Sequence, residues 1–322
     1  MVAIDADRTR PRLGISSCLL GEPVRFDGGH KRDQFLVDVL SRFVEWVPVC
    51  PEVEMGLGAP RPTLRLVTAG EGVRLVAPDT GSDHTEGMRR FAEQRLEELA
   101  SADLCGYVLK RASPSCGMER VKVYDGDGNL QQPARGLFAA ALLERFPELP
   151  VEEEGRLNNP LLRDHFLERV FALHRVKRLF AAGWTPGQLV AFHSAHKLVL
   201  LAHSPQAYRD LGRLVATAGT ADPEDLAAAY RQGFLQAMAV RATTGRHVNV
   251  LEHMLGYFKR DLGEASRADI HAAIADYRQG LVPLAVPKAL IRHQAIGQRV
   301  DYLLGQVYLD PGPKELKDHT GP

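Results

Sequence analysis

The chain has 322 residues, of which 45% are hydrophobic and 25% charged, and its 40 Lys and Arg balance 40 Asp and Glu. No apolar run approaches the ~18 residues that a membrane helix needs, and the composition is that of a globular rather than a disordered protein, with room for two domains. The mixed-charge start MVAIDADRTRPR has no apolar core of a secretory signal, so a cytoplasmic location is expected, and the four cysteines read as reduced thiols rather than a disulfide framework.

Taken in chain order, residues 12–20 predict a strand, 33–43 a helix and 44–50 a second strand. Residues 63–68 and 73–77, around Gly70-Glu71-Gly72, predict a hairpin. Asp83 and Thr85 open an amphipathic helix to Ala100, residues 106–110 read as a strand, and 136–146 as a helix. The alternation of strand and helix predicts an α/β N-terminal domain, a parallel sheet with flanking helices and a small appended hairpin. In PELPVEEEGRLNNP, proline, an acidic run and paired asparagines place a boundary near residue 155, dividing 1–155 from 156–322.

Beyond that boundary strand signals nearly vanish, and an all-α C-terminal domain is expected, with helices over 161–182, 185–202, 205–218, 223–242, 247–260, 266–279 and 287–306. Thr185, Ser204 and Asp222 each precede a proline and read as N-caps with Pro at the first helical position. The tail PGPKELKDHTGP is expected to be mobile.

Three cysteines sit in Gly- and Pro-punctuated turns: Cys18 in SSCLLG, Cys50 in VCPEV and Cys116 in SPSCG. All three turns follow predicted strands of a parallel sheet, where ligands gather, so the thiols are expected to converge. None forms a CxxC pair, which disfavours a zinc ribbon and suits an iron–sulfur cluster with one iron lacking a protein ligand. The competing reading is three buried, inert cysteines. Cys105, at the start of a strand, reads as structural.

Glu52 lies two residues from Cys50 and can serve as a general base if its surroundings raise its pKa; in an extended segment Glu52 and Glu54 share the side of Cys50. Ser113 and Ser115 can position substrate, pass a proton or simply stabilise the turn. Asp27 and His30, in RFDGGH, can reach the same site.

Residues 1–155 carry 19 Lys and Arg against 25 Asp and Glu, and residues 156–322 carry 21 against 15. The halves therefore differ in sign, −6 and +6, and ten of the twelve histidines fall in the second. That half is the candidate for meeting a polyanion such as RNA, attraction between docked domains being the alternative. On a continuous helix His193, His196, Lys197 and His203 lie within roughly a 120° arc, a polar stripe suited to phosphate contact or to plain hydrogen bonding. His247, His253 and Tyr257-Phe258-Lys259-Arg260 mix basic and aromatic groups, which suits base stacking and equally an ordinary amphipathic helix.

SSCLLGEPVRFDGG, VPVCPEVEMGLGAPRP and LKRASPSCG resemble the thiouracil desulfidase domain catalogued as DUF523, and AFHSAHKLVLLAHSP, NVLEHMLGYFK and YRQGLVPLAVPKALIRH resemble the DUF1722 domain. The resemblance implies a [4Fe–4S] cluster on Cys18, Cys50 and Cys116 with one open iron, catalytic roles for Glu52 and Ser113, and sulfide release without net redox change. Proteins joining the two domains resemble desulfidases of 4-thiouridine in tRNA, which implies thiolated tRNA as partner of the basic C-terminal half. Asp27, Ser115, His193, His196 and Lys197 are carried as substrate-binding candidates. No membrane or protein partner is evident. Two alternatives stand beside this reading: a desulfidase of free thiouracil-type bases, and an iron–sulfur sensor that regulates nucleic-acid binding.

Overall fold

The computed structural model describes residues 10–70, 72–181, 183–258 and 262–316; residues 1–9, Glu71, Ala182, residues 259–261 and the second half of the tail, 317–322, lie outside them. The chain divides into two compact units, one ending at Phe171 and the other running from Ala172 to Lys314.

The first unit contains β1 (Arg12–Ser16), β2 (Glu45–Val49), β3 (Arg65–Ala69), β4 (Gly72–Ala77), β5 (Ser82–Asp83), α1 (Thr85–Ala100), β6 (Leu104–Leu109), β7 (Val123–Tyr124), α2 (Leu137–Arg145) and β8 (Val151–Glu153). One sheet has the order β2-β1-β6-β8 and is parallel throughout, as expected for strands joined by helical crossovers. All six residues of its strand β6 are buried, the mark of a strand covered on both faces, and each buried Leu or Val there contributes about 2 kcal/mol. Gly14 in β1 is required by close approach, since a Cβ at that position would lie 2.1 Å from the Tyr107 ring.

Residues 17–20 do not continue the first strand. β1 ends at Ser16, whose Oγ accepts the Lys110 N–H at 2.9 Å, and Ser17–Leu20 closes into a 3-10 turn that ends on Gly21 at φ 99°. The expected hairpin is present as β3 and β4, and it is the centre of a second, mixed sheet of order β5-β4-β3-β7. The acidic stretch in which the boundary near residue 155 is expected supplies β8, and the division between units falls inside the helix that follows, α3 (Pro160–Phe180).

The second unit is helical: α4 (Pro186–Ala195), α5 (Lys197–His203), α6 (Pro205–Ala216), α7 (Pro223–Ala239), α8 (Thr244–Leu255), α9 (Glu264–Gln279), α10 (Ala285–Gly297) and α11 (Asp301–Leu304). The three expected N-caps are made, Thr185 as a full capping box with Gln188. Two expected helices are each split. The segment 185–202 breaks at His196 because the Ser194 carbonyl accepts from the Gln306 side chain at 2.9 Å and the Ala195 carbonyl from the Val307 N–H at 2.9 Å. The segment 287–306 breaks where Arg299 adopts φ 53° and the Val300 N–H returns to the Ala295 carbonyl at 2.9 Å. Among the described residues no helix is long and apolar enough to cross a membrane.

Candidate active site

Three turns at the ends of the parallel strands build one cavity of about 250 Å³. Cys18 enters it from the 3-10 turn after β1, Cys50 from the residue after β2, and Cys116 from the turn that follows β6, so the expected convergence is observed. Each turn is tied by its own backbone bonds. The Cys18 carbonyl accepts the Lys31 N–H at 2.9 Å, and Ser113 Oγ accepts the Cys116 N–H at 3.0 Å and the Ser115 N–H at 3.2 Å. The start of α2 holds the last turn from beneath: the N–H groups of Gly136, Leu137 and Ala139 donate to the carbonyls of Gly117, Pro114 and Ser115. Gly136 packs so closely that a Cβ there would sit 2.5 Å from the Ser115 carbonyl oxygen.

The Cys50 segment is not extended. Residues 51–57 form a helical turn, which separates the two glutamates that an extended chain would have placed together. Glu54 turns away from the cavity, where its Oε1 accepts the Cys50 N–H at 2.7 Å and its Oε2 lies 3.1 Å from Nε of Arg95 on α1. Glu52 stays on the cavity wall, and each of its oxygens has a partner. Oε2 takes both Nε, at 3.0 Å, and Nη2 of Arg61; Oε1 accepts the Ser115 hydroxyl at 2.8 Å and faces the Ser113 hydroxyl at 3.5 Å.

Arg61 went unnoticed in the sequence, although it stands in GAPRP within a motif already singled out. Its side chain is 5% exposed and its Nη1 also donates to the carbonyls of Val24 and Gly58, each at 2.8 Å. Arg61 therefore locks the Cys18 loop, the Cys50 turn and Glu52 into one knot. Lys110, paired with Glu154, and Arg25 and Arg111 add positive charge to the wall.

Of the remaining candidates, Ser113 lines the cavity, whereas Ser115 is fully buried behind Glu52 and orients it. Asp27 lies outside the cavity lining and accepts the Gly29 N–H at 3.0 Å, a bond that holds its carboxyl below the usual range. Cys105 is buried in β6, away from the cavity. His193 and His196 do not form an exposed stripe. Both are buried in the helical unit, His193 hydrogen-bonded to the Tyr230 hydroxyl at 3.1 Å and His196 accepting Arg175 Nε at 3.1 Å, while Lys197 is half-buried at the start of α5. The break at His196 and the core packing together dissolve the arc that a continuous helix would have shown.

Burial is the main influence on the three thiols: it pushes Cys18 up to about 11 against the pull of Lys110, raises Cys50, and raises Cys116 well above the ordinary thiol value. Among the described residues no set of three or more His, Cys, Asp or Glu converges closely enough to hold a single ion. Three soft donors spaced round one cavity, each from a stiff turn and backed by cationic side chains, fit an anionic polynuclear group with sulfur bridges better than a lone zinc. The residues present therefore fit the cluster that the sequence motifs implied.

The first unit is thus a parallel α/β fold that gathers three thiols and an arginine-held carboxylate at its strand ends, the layout of an enzyme's active site. Residues 13–154 match the family described as 2-thiouracil desulfurase and residues 197–313 match DUF1722, described as a protein of unknown function, so the chain joins a desulfurase-type domain to a DUF1722 domain. It is similar to the uncharacterized protein YbgA of Escherichia coli (strain K12), 37% identical over 160 residues, which are 49% of this chain and 95% of that protein. It is also similar to the uncharacterized protein YbbK of Bacillus subtilis (strain 168), 28% identical over 152 residues, 46% of this chain and 98% of the other. Among solved structures, the [4Fe-4S]-dependent thiouracil desulfidase TudS is 33% identical, with 46% of this chain and 93% of that one covered at a TM-score of 0.38.

Proposed function

We propose that this protein is an iron–sulfur-dependent, non-redox desulfidase that removes sulfur from 4-thiouridine in tRNA, leaving uridine and sulfide. The observation that carries the chemistry is the presence of Cys18, Cys50, Cys116, Glu52 and Ser113 on one cavity wall. Bound by the three thiolates, a [4Fe–4S] cluster supplies an iron without a protein ligand, a soft Lewis acid matched to a thiocarbonyl sulfur.

The reaction is a hydrolysis. Water forms a bond to the thiocarbonyl carbon, the carbon–sulfur bond breaks, and sulfide leaves carrying the two protons of water, with no electron gained or lost. Glu52 accepts the first proton from water at Oε1, while Arg61 on Oε2 keeps the carboxylate facing the cavity. Ser113 Oγ already accepts two backbone N–H groups, so its own proton is directed outward, toward Glu52 Oε1 or a substrate atom. It carries the proton onward to the departing sulfur. Ser115, behind the cavity wall, and Arg61 hold the base in position.

Two features of the second half support RNA as the substrate carrier. Residues 156–322 hold 21 Lys and Arg against 15 Asp and Glu. The helical unit also presents an aromatic and basic patch: Tyr257 stacks on the exposed Tyr302 at 4.7 Å, His253 meets Tyr257 edge-on at 5.4 Å, and burial first, then the charge of nearby Lys197, lowers the His253 pKa. Such a patch offers faces for unpaired bases beside cations for phosphate. The confinement of all the chemical groups to the first unit favours a second reading, a desulfidase of free thiobases.

Anaerobic incubation of iron-loaded protein with 4-thiouridine-containing tRNA and, separately, with 2-thiouracil distinguishes them through loss of thiocarbonyl absorbance and sulfide release. Sulfide from tRNA is the expected result. Sulfide from the free base alone overturns the RNA reading, and sulfide from neither, with the cluster intact, overturns the enzyme in favour of a sensor.

A further inference from the structure

Phe26 lines the cavity beside the three thiols and keeps 40% of its surface exposed. Among the described residues that line the cavity it alone is aromatic; the other apolar walls are Val24, Val49, Leu64 and small or cyclic side chains. Exposing a large ring at a loop tip gains nothing for folding. Yet this loop is tied by its own backbone hydrogen bonds. The Gly28 N–H donates to the Arg25 carbonyl at 2.9 Å, and the Arg25 N–H to the Gly29 carbonyl at 3.2 Å. The Arg25 guanidinium lies over the ring, 5.4 Å from its centroid.

The loop is also fastened to the base. The Arg61 N–H donates to the Phe26 carbonyl at 2.9 Å, and the same arginine's guanidinium grips Val24 and Glu52. Ring and carboxylate are thus held in one register by one residue, and an aromatic face fixed relative to a general base is how a flat substrate is oriented for attack at a ring carbon.

We infer that Phe26 is the platform on which the thiolated pyrimidine stacks, so that this residue sets the preference for a planar heteroaromatic thiocarbonyl. The inference rests on the desulfidase reading and adds to it the surface that holds the ring. Stacking on Phe26 would hold the ring inside the cavity whose lining includes Glu52, with the Arg25 guanidinium beside it, against the same aromatic ring.

The test uses full-length iron-loaded protein, uracil as a binding probe in calorimetry and 2-thiouracil as substrate, with Phe26→Ala, Phe26→Leu and Phe26→Tyr. Phe26→Ala and Phe26→Leu should each raise the uracil Kd and the 2-thiouracil KM about tenfold, with kcat held within about twofold. Phe26→Tyr should bind like wild type, and all three should keep wild-type iron content and melting temperature. An unchanged Kd and KM in Phe26→Ala overturns the inference, as does full rescue by Phe26→Leu, which restores apolar bulk without an aromatic face. Should Phe26→Ala misfold, the comparison of Leu with Tyr, which keep the bulk, decides alone. A wild-type protein that turns over neither 2-thiouracil nor 4-thiouridine-containing tRNA overturns the desulfidase reading itself, an outcome separate from a working enzyme indifferent to residue 26; a wild type active on tRNA alone is scored by the same KM comparison on that tRNA.

Discussion

Arg61 decides more of the site than any side chain except the three cysteines. Its guanidinium satisfies one oxygen of Glu52 and two backbone carbonyls, and with 5% of the side chain exposed these groups have little water to fall back on. Removing it leaves Glu52 without its countercharge in a largely buried place, a change that typically costs about 3–5 kcal/mol. Arg61→Ala should lower the denaturant midpoint of the first unit accordingly, and Arg61→Lys, which keeps charge but loses the fork, should lower kcat on 2-thiouracil by about tenfold or more at unchanged iron content. Ser115→Ala removes one bond to Oε1 and should cost about 1 kcal/mol, with a smaller loss of kcat. Cysteines in glycine- and proline-marked turns, with a glutamate two residues on, were legible in the sequence because each residue type declares its chemistry locally. The Arg61–Glu52 pair and the Ser115 contact were not, since they arise only when loops 9 and 63 residues apart in sequence fold against each other.

At the scale of elements, the same contrast between local and long-range control recurs. Thr185, Ser204 and Asp222 cap their helices as expected because a cap is made within three residues. The break at His196 was invisible because Gln306 and Val307, over a hundred residues away, occupy the carbonyls that would have continued the helix. Its consequence is a histidine buried in its neutral form: Nε2 accepts from Arg175, so Nδ1 carries the proton and donates to the Phe192 carbonyl at 2.8 Å. Burial first, then the charges of Arg175 and His193, hold the His196 pKa well below its ordinary value. The unfolded chain therefore binds more protons than the folded one below about pH 6.5, so stability is lost as pH falls through and below that value. The helical unit should lose up to about 1.4 kcal/mol per pH unit from this residue, read as a falling melting temperature between pH 7 and 5. In the other unit, α2 secures the Cys116 turn through its first N–H groups, and Gly136→Ala forces a Cβ onto the Ser115 carbonyl oxygen at 2.5 Å. That variant should fold yet bind less iron after anaerobic reconstitution, while Gly126→Ala, where a Cβ meets nothing within 4 Å, should load normally.

For the whole molecule, the proposed function gives bond-making to one unit and RNA recognition to the other, and the prediction for recognition is electrostatic as well as aromatic. If the helical unit grips tRNA through phosphates, affinity must fall steeply with salt, because each neutralised phosphate releases condensed counterions. Bases stacked on tyrosine add a contribution that salt barely touches, about 1–3 kcal/mol per base. The two contributions separate by substitution. Lys197→Ala should reduce the slope of log affinity against log salt by about one unit or less, while Tyr257→Ala should weaken binding about tenfold at every salt concentration and leave that slope alone. The stacked partner Tyr302 predicts the same pattern, since loss of either ring exposes the other. Turnover of 2-thiouracil, measured in parallel, reports on the cavity by itself. A Tyr257→Ala protein that processes the free base normally but thiolated tRNA poorly is the result expected of a recognition surface in the second unit serving chemistry in the first; equal loss on both substrates would place Tyr257 in the stability of its own helices instead.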